Sequence, residues 1–550
     1  MTHYKPRTDL PTHEVFNQSE VMTGIDFFSA DTILSDAIAR SPAQSHAQRL
    51  SEFGAKVGSE EVQTWGIEAN RNPPQFKPFD RFGRRIDEVE FHPAYHALMD
   101  LGLSNGVSSA AWTVKEGGHS LHSALMILMG KADDGVCCPM SMTYACVPAL
   151  EHAGWTRDWV AGATSGMYDR RFLPKEQKTG LTLGMAMTEK QGGSDVRANT
   201  TKARPLDGDG EVELTGHKWF CSAPMSDAFL TLAYEEGDER LSCYLVPRWR
   251  PGGTRNTIEI QRLKDKLGDR SNASSEIEYK GAWARRVGEK GRGVRTIIEM
   301  VNHTRLDCLV GSAGLIRQAA STAIWHADRR SAFQRRLVDQ PLMREVLAEM
   351  AMEADGVMAL AFRVAEAFDK AKEDEHEAAL ARILTPLAKY WICKRAPYLV
   401  YEAMEAHGGV GYVEEFPLAR MFRQSPLNAI WEGSGNVIAL DVLRALARDE
   451  AAREALKAEM ANAAGHHPAL DERLKRLGQT VEGGIGEADA RRFAEQATLA
   501  LIAASLIRAG LDPVADAFIA RRIDETPVML GAGSAQIDAD TLIDRARLKV

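Results

Sequence analysis

Apolar residues recur with helical spacing from Asp31 to about Arg170, broken at Asn72-Pro73-Pro74 and at Cys138-Pro139. From about Gly180 to Val287 the pattern changes to alternation and short turns. Thr182–Met185, Glu211–Leu214, Ser242–Pro247, Thr257–Ile260 and Ser275–Tyr279 read as strands there. After Gly288-Glu289-Lys290-Gly291-Arg292-Gly293 the helical period returns. Val294–Val301, Arg305–Arg329, Pro341–Lys370, Ala378–Ala406 and Val437–Arg448 make a bundle, with the charge run Lys372–Glu377 as a solvated loop. Residues 449–550 are Ala-rich and helical, broken at Gly465-His466-His467-Pro468, Gly483-Gly484-Ile485-Gly486 and Asp512-Pro513. The pattern predicts an α+β chain: an N-terminal arm (1–30), a helical domain (31–179), a central β domain (180–287), a four-helix bundle (288–448) and an additional C-terminal helical domain (449–550). The arm reads as a disordered tail or as an oligomer contact.

Composition narrows this picture. A net charge of −9 over 550 residues argues against a surface that is basic all over, but leaves room for a local patch. The arginine pairs Arg491-Arg492 and Arg521-Arg522 and the tail Arg545–Lys549 offer such a face. Acidic residues are about as numerous there, so a solvated helical cap is the plainer reading. The polar, proline-punctuated start does not resemble a signal peptide, and the apolar run Ala497–Ile507 is too short to span a bilayer. Seven cysteines, including Cys137 and Cys138 but no CxxC pair, suggest reduced thiols in a cytoplasmic protein. His92 and His96 lie four apart without a third ligand nearby, which favours structural histidines over a metal site.

Two stretches carry candidate chemistry. Thr188-Glu189-Lys190-Gln191-Gly192-Gly193-Ser194-Asp195 follows an apolar strand. Its paired glycines allow close backbone approach to a polar-edged cofactor, although such a loop is also an ordinary turn. Trp431-Glu432-Gly433-Ser434-Gly435-Asn436 sets one carboxylate at a helix entrance, suited to a catalytic base or simply to capping the helix. Between them lie Gly216-His217-Lys218-Trp219-Phe220-Cys221-Ser222 and Gly408-Gly409-Val410-Gly411-Tyr412.

In this order the four stretches resemble the acyl-CoA dehydrogenase family of flavoproteins. The resemblance implies FAD as cofactor and the α,β-desaturation of a short or branched acyl-CoA, by proton removal beside the thioester carbonyl and hydride loss from the next carbon. Glu432 falls on the family's base, and Arg305 on an arginine beneath its substrate pocket. One branch places the base directly before that arginine, where this chain has Thr304. Met185, Met187 and Thr188 fall where the family meets the flavin's polar edge, and Gly193 and Ser194 near its pyrophosphate. Phe220 takes the place of a covering aromatic residue, usually Trp, and Ser222 of a hydroxyl near N5. Their plainer reading is a strand with alternating core and edge positions. Arg330 and Phe333 resemble a pair sent by a neighbouring subunit to the adenine-diphosphate half, with Gln334 where glycine is usual. Gly408, Gly409 and Gly411 resemble a second contact from a neighbour, and within one chain read as a helix C-cap. Trp431, Gly433, Ser434 and Asn436 complete the set, the last two at a helix entrance that welcomes an anion.

Further stretches resemble a bacterial alkylation-response branch of the family: Phe16-Asn17-Gln18, Asn72-Pro73-Pro74, Gly83-Arg84-Arg85, Lys264–Gly268 and Arg270–Ser274. That implies a homotetramer and double-stranded DNA as a partner of the C-terminal domain, whereas a working dehydrogenase of the family would pass its electrons to an electron-transfer flavoprotein. The competing reading is therefore a DNA-associated protein whose dehydrogenase site is weak or vestigial.

Overall fold

The computed structural model describes residues 6–550. Its first part contains α1 (Thr32–Ala39), α2 (Ala47–Val57), α3 (Glu60–Arg71), α4 (Pro93–Ser104), α5 (Ala110–Thr113), α6 (Gly118–Gly130), α7 (Cys137–Leu150) and α8 (Arg157–Ala163). Helix starts follow local chemistry. Asp31 and Ser59 accept amides of α1 and α3, and the His92 ring caps α4 with Pro93 at its first position.

This part is not wholly helical. Past Asn72-Pro73-Pro74 the chain forms an antiparallel hairpin, β1 (Gln75–Phe79) and β2 (Arg85–Glu90). Asp80 fixes its turn by accepting the Phe82 and Arg84 amides at 2.8 and 2.9 Å. The inward face of β2 pairs Val89 with a buried carboxylate, Asp87, which takes Arg85 and the Ile260 amide. A charged residue on the buried face erased the alternation that would have announced a strand.

The sheet comprises β3 (Leu183–Ala186), β4 (Lys202–Pro205), β5 (Glu211–Ser222), β6 (Ala228–Glu235), β7 (Leu241–Pro247), β8 (Ile258–Leu263) and β9 (Ser274–Val287). The long antiparallel pair β5–β9 forms its spine, and β8 flanks β9. β6 carries β3 and β4 in parallel along one edge and β7 along the other, and β7 returns to β9. All five expected strands are present. β6 was not expected, because a strand buried on nearly every residue shows no alternation. Between this sheet and α7, Met142, Tyr144 and Cys146 pack with Leu183, Leu230, Leu245 and Met300.

The bundle follows: α9 (Gly293–Arg329), α10 (Pro341–Lys370), α11 (Glu375–His407), α12 (Pro417–Gln424) and α13 (Gly435–Arg448). α9 is one helix where two were expected. His303, in the polar stretch that suggested a break, is buried against Trp112, His119 and Phe368. The arm lies on the far end of α9, where the Trp325 indole donates to the Glu20 carbonyl and Asn17 binds both backbone groups of Ser331. Within one chain, residues 17–20 of the arm are therefore docked rather than a free tail.

Residues beyond the bundle form α14 (Glu450–Ala461), α15 (Pro468–Gly483), α16 (Ala490–Arg508), α17 (Asp512–Ile519) and α18 (Ala539–Ala546). α16 shares the bundle's core through Ala497, Leu501 and Ile502. The expectation of a solvated cap or a basic face fails at Arg521 and Arg522. Both are buried, and they pair with Glu345, Glu349 and Glu353, which recur every four residues along one face of α10. Arg545 pairs with Asp36 and Asp355, and Arg547 with Asp328. Among the described residues no helix is long and apolar enough to cross a membrane.

Candidate functional site

β3 keeps register with β6 up to Ala186, and the Thr188–Asp195 loop springs from its end. The loop is anchored from inside by Glu189, which is 1% exposed. Its carboxylate accepts Lys218 Nζ at 2.9 Å, the Thr201 hydroxyl at 2.5 Å and the Thr200 amide at 2.6 Å. Burial alone would raise its pKa, but Lys218 and these donors override that and hold it at about 2. With Glu189 drawn in, Gly193 and Ser194 face outward. A Cβ at Gly193 would stand 3.0 Å from Thr188 Cγ2, so glycine keeps room for that side chain.

Along β5, Cys221 points inward, while Phe220 is 50% exposed and Ser222 half-buried. Lys264 Nζ lies 3.3 Å from the centre of the Trp219 ring and 4.8 Å from that of Phe220. The Cys138 thiol at the start of α7 is pushed up chiefly by burial, with the Ser222 hydroxyl and the Glu432 carboxylate among its neighbours. That thiol links the β5 side of the site to the Trp431–Asn436 loop.

In this loop Glu432 takes a left-handed backbone, φ 57°, followed by Gly433 at φ 104°. Trp431 packs against the cluster that holds Cys138 and Met142, as do Met185 and Met187 from β3 and its end. Arg305 on α9 donates from Nε to the Glu432 carbonyl at 3.0 Å and from Nη1 to Asp441 at 2.8 Å. The alternative partner, Asp307, is taken by His122 at 2.7 Å instead. Arg382 binds the other Asp441 oxygen at 3.0 Å. From α11, Lys389 Nζ donates to the carbonyls of Asn428, Trp431 and Gly433 at 2.9, 3.0 and 3.0 Å.

Burial pushes the Glu432 carboxyl above its ordinary range, against the opposing pull of Thr304, Lys389 and Arg305. Those groups sit on α9 and α11, not on the helix Glu432 precedes. α13 starts at Gly435, with Ser434 at its N-cap making no side-chain cap bond. Asn436 is exposed there and receives Arg491 Nη1 at 3.4 Å from the C-terminal region.

The structure thus brings Met185, Met187, Ser222, Arg305, Trp431 and Glu432 around one centre. It does not bring Arg330, Phe333, Gly408 or Gly409 there. Arg330 follows Arg305 by 25 residues of α9, about 38 Å along the helix axis. Its Nη1 donates to the Asn17 carbonyl at 2.6 Å. Phe333, 93% exposed, and Gln334 form the tip of a short hairpin, both with positive φ. Gly408 ends α11 at φ 63°, with Gly409 beside it, and open space surrounds both. Lys389, Glu189, Asp441 and Cys138 were not singled out from the sequence. A lone lysine inside the apolar run Ile383–Cys393 was the one available signal for Lys389.

Residues 17–170 match the AidB N-terminal domain family, described as that of the adaptive response protein AidB. Residues 184–282 and 291–447 match the middle and C-terminal domains of acyl-CoA dehydrogenase. AidB of Escherichia coli (strain K12) is 42% identical over 517 residues, covering 93% of this chain and 95% of that protein. Acyl-CoA dehydrogenase family member 11 of Caenorhabditis elegans is 32% identical, over 83% of this chain and 76% of its own length. A crystal structure of Caenorhabditis elegans ACDH-11 in complex with C11-CoA superposes with a TM-score of 0.83 at 26% identity, over 99% of this chain and 95% of that one. The chain belongs to the acyl-CoA dehydrogenase family, oxidoreductases that act on CH–CH bonds.

Proposed function

We propose that this chain desaturates a short or branched acyl-CoA between its α and β carbons, with Glu432 as the base. The observation that carries this reading is a single half-buried carboxyl group, its pKa raised by burial, next in sequence to Trp431, which packs on the same cluster as Met185 and Met187. A base of raised pKa is better matched to a weak carbon acid. Arg305 spends its nitrogens on the Glu432 carbonyl and on Asp441, so it steadies the loop without a direct ion pair to the carboxylate.

The residues present fit FAD. Apolar and aromatic surface from Met185, Met187, Phe220 and Trp431 suits a planar ring, and Thr188, Ser194 and Ser222 supply hydroxyls for its polar groups. When bound, FAD accepts the hydride that leaves the β carbon. The chain's own part is to hold the thioester, exclude water and take the α proton on a Glu432 oxygen. The relative crystallised with C11-CoA supports a CoA thioester as the substrate class. Arg330, Phe333, Gly408 and Gly409, remote from Glu432 within one chain, fit a homotetramer in which a neighbour supplies them. An electron-transfer flavoprotein is the proposed acceptor.

Double-stranded DNA, the competing partner, has less to rest on. Arg521, Arg522, Arg545 and Arg547 are all occupied by carboxylates. Anaerobic titration of the flavin-loaded protein with short and branched acyl-CoAs tests the reading. Bleaching of the flavin absorbance that is absent in Glu432→Gln supports it, and no bleaching with any acyl-CoA overturns it.

A further inference from the structure

Lys389 is a buried cation in an unusual setting. It is 2% exposed, in the middle of α11, and among the described residues no carboxylate lies within 4.0 Å of its Nζ. All three N–H donors go to neutral acceptors, the carbonyls of Asn428, Trp431 and Gly433. An ammonium without a counter-ion is expensive to bury, so these three charge-assisted hydrogen bonds have to be well formed for the fold to tolerate it.

Two of these carbonyls bracket one residue. Trp431 and Gly433 flank Glu432, whose own carbonyl is held by Arg305 at 3.0 Å. Three consecutive carbonyls are therefore turned toward cations of α9 and α11. Keeping them there requires the peptide planes to rotate through a left-handed residue, and the chain places a glutamate with φ 57° at that point, where an L side chain is disfavoured. The strain is localised on the residue whose side chain the site uses.

We propose that Lys389 is a positioning residue for the base: it fixes the loop in the conformation that presents the Glu432 carboxylate to the substrate. The inference rests on Glu432 being that base. Lys389 acts through the loop backbone, on which all three of its hydrogen bonds fall. Its uncompensated charge has a second effect. It favours the ionised form of Glu432 and offsets part of the burial that opposes it.

The test uses flavin-loaded Lys389→Met, with turnover expressed per bound flavin. The expected result is a kcat lowered about 100-fold, the scale of a small misplacement of a catalytic group, with KM changed less than threefold. The acid limb of kcat/KM should move to higher pH, because a positive charge that favoured the carboxylate is gone. A purely structural lysine would lower stability or flavin content and leave kcat per flavin and the acid limb in place. That result overturns the inference. Should Lys389→Met fail to fold, Lys389→Arg keeps the charge, but its planar fork cannot converge on three carbonyls. The inference then expects kcat to fall at least tenfold with the acid limb unmoved, and a kcat within twofold of wild type overturns it. Glu432→Gln separates the two claims. If it bleaches the flavin at the wild-type rate, the base reading falls. If it is inert while Lys389→Met behaves as wild type, only the role of Lys389 falls.

Discussion

Arg305 grips Glu432 by its backbone carbonyl, 3.0 Å from Nε, and leaves the carboxyl group to its buried surroundings. The arginine beneath the site therefore sets where the glutamate stands more than whether it is charged. Protonation is governed by burial, opposed first by the Thr304 hydroxyl.

That opposition predicts a pH effect. The base works deprotonated, so kcat/KM should fall as pH drops through the Glu432 pKa, and should do so above the ordinary glutamate range of about 4.3. Thr304→Val removes the hydroxyl that favours the carboxylate and should move this acid limb further up. A pH profile of the two proteins checks it.

Glu189 predicts the opposite sign for stability. Its folded pKa, about 2, lies below the value of an unfolded glutamate, so its contribution is present above about pH 4.5 and is lost as pH falls toward 2. Glu189→Gln leaves Lys218 buried without its partner and should cost about 3 kcal/mol. Chemical denaturation measures the loss, and hydrogen exchange should show it concentrated in residues 188–201.

The C-terminal helices are fastened by charge, and the fastening can be graded. Arg522→Met takes one of two arginine partners from each of Glu349 and Glu353 in the core and should destabilise by about 2 kcal/mol. Arg492→Met, which removes only an exposed pair with Asp489, should stay within about 0.5 kcal/mol of wild type. Denaturation curves of both variants make the comparison.

Gln334 holds φ 64° at the hairpin tip, a conformation glycine adopts without strain. Gln334→Gly should therefore stabilise the protein by about 1 kcal/mol. A raised melting temperature would show it.

Much of this fold could be read from residue spacing. Apart from the expected break in α9, the bundle helices and five strands lay where residue spacing put them. What escaped had a physical reason. The β1–β2 hairpin buries Asp87, β6 is buried on nearly every residue, and His303 fills a core position with a polar ring. At the site, motifs led to Glu432 and the Gly192-Gly193 loop. The residues that hold them, Lys389 and Glu189, are separated from their partners in sequence or satisfied by backbone atoms, and local patterns do not register such contacts. Arg521 and Arg522 were visible as charge, but their carboxylate partners lie more than 160 residues away on α10.

With Glu432 as the base, its carboxylate takes the α proton. Rapid mixing of flavin-loaded protein with its best acyl-CoA under anaerobic conditions, followed at the flavin absorbance, reads that step directly. The wild type should bleach fast, and more slowly when the α carbon carries deuterium, while Glu432→Gln that still binds FAD and ligand should not bleach. Bleaching in that variant within tenfold of the wild-type rate would contradict it.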